Sequence, residues 1–95
     1  MKHVTFSPAA ISDLGDIWDY TAEQWGLDQA ERYIDQIRDA CDGLAIGERQ
    51  GRIVDARIGY LKYTVMRHLV FFREVDAGIA VIRVLHQRMD PDQHL

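Results

Sequence analysis

The chain has one cysteine, two prolines and no long apolar run in its 95 residues, and each shortage excludes something. Cys41 alone can form no bridge within the chain and supplies no paired-cysteine metal site, which fits a reducing cytoplasm. With no basic stretch leading into an apolar segment near the start, and nowhere about 18 consecutive apolar residues, neither a signal peptide nor a membrane span is expected. Basic side chains are the minority, 11 against 15 acidic ones, for a formal charge of −4. A broadly basic surface that coats nucleic acid is therefore not expected, nor is sequence-specific nucleic-acid binding. Gly47 and Gly51 flank only Glu48-Arg49-Gln50 and lack the Lys-Ser/Thr pair of a phosphate-binding loop. None of His3, His68, His86 and His94 stands in a metal-ligand spacing, so no cofactor and no metal is expected.

What is present is a globular balance, 47% hydrophobic and 27% charged, and at this length one domain over residues 1–95 is expected. Charge is unevenly spread. Residues 1–51 carry four basic and ten acidic side chains, residues 52–95 seven basic and five acidic, so an anionic partner should meet the second half.

Residues 2–6 alternate polar and apolar side chains as a short half-buried strand does. Ser7-Pro8 then offers an N-cap followed by a proline at the first helical position. Ala10, Ile11, Leu14, Ile17, Trp18, Thr21 and Trp25 recur at three- and four-residue steps, which predicts an amphipathic helix ending before Gly26. Asp13, Asp16, Asp19 and Glu23 fall on its solvated side. A second helix, capped by Asp28, should run to about residue 45 on the stripe Ala30, Tyr33, Ile34, Ile37, Cys41, Leu44 and Ala45. The period then changes to about two. Strands are expected over 52–58, 60–66, 68–75 and 79–85, with Asp76-Ala77-Gly78 as a tight turn and an irregular tail from Met89 to Leu95. The result is an α+β fold: an N-terminal strand, a helical hairpin, then a three- to four-stranded, mainly antiparallel sheet packed against the hairpin.

His68 opens one strand and His86 closes another, so neighbouring strands could gather them with Arg73, Arg83 and Arg88 at one sheet edge. The plainer reading gives each arginine an aromatic face or an acidic partner such as Asp55, Glu74 or Asp76. Cys41 lies on an apolar stripe and reads as core, not nucleophile. Trp18 and Trp25 share a helical face with Ile11 and Leu14, and part of that face could receive a partner segment.

The string Arg83-Val84-Leu85-His86-Gln87-Arg88-Met89-Asp90, followed by His94-Leu95, resembles the ParE toxins of bacterial type II toxin-antitoxin systems, within the RelE/ParE superfamily. Phe6-Ser7-Pro8-Ala9-Ala10, Ala30-Glu31-Arg32-Tyr33-Ile34, Cys41-Asp42-Gly43-Leu44-Ala45 and His68-Leu69-Val70-Phe71-Phe72-Arg73 extend the resemblance over nearly the whole chain. It implies a RelE/ParE-like fold and inhibition of DNA gyrase without catalysis by the chain itself. It also implies neutralisation by a ParD-like antitoxin in a toxin-antitoxin hetero-oligomer. Target contacts are then expected from His68, Arg73, Arg83, His86, Arg88, Asp90 and Leu95, and antitoxin contacts from Ile11, Leu14, Trp18 and Ile34. The alternative, by similarity to RelE, is a ribosome-dependent mRNA endoribonuclease with His86 as acid or base and Arg73 and Arg83 on the phosphate. Where many ParE sequences carry Tyr before the strand arginine, this chain has Phe72.

Overall fold

The computed structural model describes residues 2–55 and 57–95. Strand β1 (His3–Phe6) leads into helix α1 (Pro8–Trp25), whose start is fixed as its sequence requires: Ser7 Oγ accepts from Ala10 N at 3.0 Å, and Pro8 occupies the first turn. Gly26, at φ +93°, both ends α1 and begins α2 (Leu27–Ile46), leaving a one-residue hinge between two antiparallel helices. Asp28 is therefore not the cap expected of it. Gly26 takes that position without a side-chain bond, and Asp28 sits in the first turn, where its carboxylate meets the positive end of the helix. Gly47, in the left-handed region, closes α2.

The sheet order is β1-β5-β4-β3-β2, with β2 (Arg52–Ile53), β3 (Leu61–Val65), β4 (His68–Val75) and β5 (Gly78–His86) antiparallel to one another and β1 parallel to β5. The expected strand over 52–58 is a correction: only Arg52 and Ile53 pair with β3, Ala56 lies outside the described residues, and the backbone turns back with Val54 N donating to Tyr60 O at 3.0 Å. Loose polar–apolar alternation marks a segment able to be a strand, but here Arg57 N donates to Val54 O at 3.2 Å and the chain turns instead of running on beside β3. The tail corrects in the other direction. Asp90 accepts from Asp92 N at 3.0 Å and caps a short helix α3 (Pro91–His94), repeating the acceptor-then-proline device of Ser7-Pro8 over a length too short to show a period.

Between β4 and β5, Phe71 pairs with Arg83 but Phe72 pairs with Val81, so Ile82 is a bulged residue. The bulge lets Val70 and Phe72 share one face with Ile79, Val81 and Val84. There they pack on Ala10, Ile17, Ile37, Ala40, Cys41 and Leu44 of the two helices. Phe71 and Leu85 point to the opposite face and form a second cluster with Val54, flanked by Tyr60, Leu69 and Leu95. Phe72 is thus buried at 2% exposure, and a tyrosine hydroxyl there would lie in the core. Among the described residues no helix is long and apolar enough to cross a membrane.

Candidate functional site

A cavity of about 480 Å³ opens between the second half of α1, the first turns of α2, the β3–β4 turn and the end of β5. One wall is aromatic. Tyr20 and Trp25 stand edge to face at 6.1 Å between ring centres, and both remain about 60% exposed. Ile17 and Met89 complete the apolar part, while Thr21 turns its hydroxyl back to Ile17 O at 2.7 Å and so presents its methyl group without an unmet donor.

The floor is polar and built by register. His68 and His86 are directly opposed across β4 and β5, their rings perpendicular and 5.2 Å apart. From α2, Tyr33 reaches His68, with its hydroxyl 2.6 Å from Nδ1. Burial pushes the His68 ring down to about 4, helped by the neighbouring His86 and opposed by Asp13. Burial also raises the Tyr33 phenol, with the Arg67 backbone and charge opposing, so Tyr33 keeps its proton and donates it to a neutral His68. His86 Nδ1 accepts from Arg88 N at 3.1 Å, which leaves its other nitrogen as the donor in the neutral ring. A base that ionises near 4 is a weak proton acceptor at neutral pH. The Tyr33–His68 pair is therefore suited to recognition through uncharged groups.

The edge expected to collect the basic residues is split. His68 and His86 do meet. Arg83 instead turns to α1, donating from Nε and Nη2 to the two Asp13 oxygens at 2.8 and 2.7 Å. Asp13, expected on the solvated side of α1, is a half-buried partner. Beyond Val81, β5 has no β1 residue beside it, and α1 supplies the missing bonds: Ser7 Oγ donates to Ile82 O at 2.6 Å and Val84 N donates to Asp13 Oδ2 at 2.9 Å. Arg73 lies at the far end of β4, over the Tyr60 ring at 6.0 Å, roughly 17 Å from His68 along the strand. It has the aromatic face of the plainer reading. Arg88 and Asp90 are exposed in the turn after β5, and Leu95 rests on the Phe71–Leu85 cluster. Of the four residues assigned to the antitoxin, Ile11 is 60% exposed, Trp18 is half-buried, and Leu14 and Ile34 pack against the main core. Sequence reasoning missed Tyr33, Arg67, Tyr20 and Trp25 as members of one site. Tyr33 stood in an apolar stripe like any core residue, and only its hydroxyl hinted at a polar neighbour. No three His, Cys, Asp or Glu among the described residues come together as metal ligands.

The family model described as "ParE toxin of type II toxin-antitoxin system, parDE" matches residues 4–91. The chain belongs to this ParE toxin family. Toxin ParE1 of Mycobacterium tuberculosis is 47% identical over 91 residues, covering 94% of this chain and 93% of that one. Toxin ParE1 of Caulobacter vibrioides is 35% identical over 96 residues, covering 100% and 99%. A chain of the chromosomal ParDE TA system from P. aeruginosa superposes with a TM-score of 0.77 at 20% identity, covering 90% of this chain and 96% of that one, a likeness of fold. The chain is thus a type II toxin, and the expected strand, hairpin and mainly antiparallel sheet form a ParE-like fold.

Proposed function

We propose that this ParE-family toxin inhibits DNA gyrase in the cytoplasm and is neutralised by a ParD-like antitoxin, with which it forms a hetero-oligomer. Two surfaces divide the work. The outer side of α1, at Ile11 and Trp18, receives the antitoxin, and the turn after β5, with Arg88 and Asp90 standing beside His86, meets the target. Antitoxin binding is supported by exposed apolar side chains on a helix that the sheet covers on its other side only.

The observation that carries the gyrase reading over RNA cleavage is the dispersal of the groups cleavage needs. Cleavage requires a titrating base or acid beside cations that hold the phosphate. Of the groups that reading names, Arg83 has all three side-chain nitrogens engaged and Arg73 is a strand's length from His68, so His86 stands without either cation on the phosphate. The test is a gyrase supercoiling and DNA-cleavage assay with the purified toxin, beside a ribosome-dependent mRNA cleavage assay. Supercoiling should stop and cleaved gyrase–DNA complexes accumulate, and Arg88→Ala should raise the half-inhibiting concentration about tenfold, the size of one lost charged contact. Unaffected gyrase alongside cut mRNA would replace this reading with the endoribonuclease one.

A further inference from the structure

The 91–95 segment folds back across the sheet and is held there in part by its main-chain oxygens, one of which accepts from Arg83. The guanidinium is a three-way joint. Nε and Nη2 grip Asp13 on α1, Nη1 donates to His94 O at 3.0 Å, and the side chain rises from the bulged part of β5. Asp13 is itself held, because its Oδ2 also receives Val84 N. The pair is shielded, with side chains 22% and 11% exposed, which strengthens the charged bonds and leaves the fork one orientation. Next to this joint, Leu95 packs on Phe71 and Leu85, and Arg57 Nη2 donates to Leu95 O.

We propose that Asp13 and Arg83 form a latch that positions the 87–95 segment for the target, so that both are positioning residues and Arg83 is not itself a target contact. This rests on the reading of the turn after β5 as the target surface. The geometry gives the reason: the exposed turn carrying Arg88 and Asp90 is fixed at one end by β5 and at the other by α3. The α3 end is anchored chiefly through the His94 and Leu95 oxygens. Release of His94 leaves the α3 end held through Leu95 alone, and ordering the loosened turn again on the target then costs conformational entropy that the latched form has already lost.

The test compares Asp13→Asn with Arg83→Lys in the purified full chain. Asparagine keeps the acceptor for Val84 N but not the second carboxylate oxygen, and lysine keeps the charge but cannot reach Asp13 and His94 together. Backbone order parameters of residues 92–95 should fall from the rigid range, about 0.85, to below about 0.6 in both variants, with β4 and β5 unchanged. Growth inhibition on expression should weaken about tenfold in both, and the double variant should be no weaker than either one. Growth is read because it does not depend on which target is hit. A toxin that arrests growth yet spares gyrase would overturn the gyrase reading and leave the latch standing. Three results overturn the latch: residues 92–95 staying rigid in D13N, full toxicity with a loosened segment, or a fully toxic D13N beside an inactive R83K, which would make Arg83 a direct contact. If D13N does not fold, R83K alone decides between a rigid and a loosened segment.

Discussion

At His68 the fold excludes a proton that water would supply, and the sign of the resulting pH dependence follows. Above pH 6.5 the ring is neutral in both folded and unfolded chains and contributes nothing. Between 6.5 and about 4 the unfolded chain takes up a proton that the folded one refuses, so stability is lost as pH falls through this window. With solvent screening at a half-buried ring, the loss is about 2 kcal/mol. Denaturant midpoints measured from pH 7 to 4 should therefore decline less steeply for His68→Gln than for the parent, since glutamine retains an acceptor for the Tyr33 hydroxyl and has no proton to gain. An equal slope in both proteins would place the titrating group elsewhere. At this scale the sequence was only partly legible. Strand ends that place two histidines opposite each other could be read, because pairing follows from a tight turn. The partner of Arg83 could not, because Asp13 is 70 positions away and looks like any surface acid on its helix.

Helices were the most legible elements, since a 3.6-residue apolar period, a Ser-Pro start and a glycine end all agree for α1. Strands were less so. The bulge at Ile82 breaks the alternation of β5 in the middle, and the 52–58 pattern turns after Val54, which still bonds Tyr60. One glycine governs the whole sheet edge. Gly78 opens β5 at φ +144° with the β1 backbone lying against it, and a Cβ there would collide with the His3 carbonyl oxygen. Gly78→Ala should cost about 3 kcal/mol or more and should detach β1 first. Amide exchange at His3 and Ser7, which donate to Ala77 O and Val81 O, should then quicken beyond that in β4, and uniform protection would show that β1 has another anchor.

Across the molecule, the helical hairpin covers one side of the sheet, and Val54, Tyr60 and Leu95 cover part of the other; the two proposed partner surfaces adjoin at the cavity but are centred on different residues, Ile11 and Trp18 against Arg88 and Asp90. Substitutions should separate them as well. Ile11→Glu should weaken antitoxin binding at least about tenfold in a titration, shift the melting temperature little because the side chain is already 60% exposed, and leave growth inhibition intact. Loss of both activities together would mean one shared surface. The parallel pairing of β1 with β5 has a temporal consequence. Ser7 bonds Ile82 across 75 positions of chain, so the first strand emerges from the ribosome long before its partner has been translated. For most of its synthesis the nascent chain carries an unclosed sheet and an α1 with no Arg83 to grip, and the toxin is completed only as its last strand arrives.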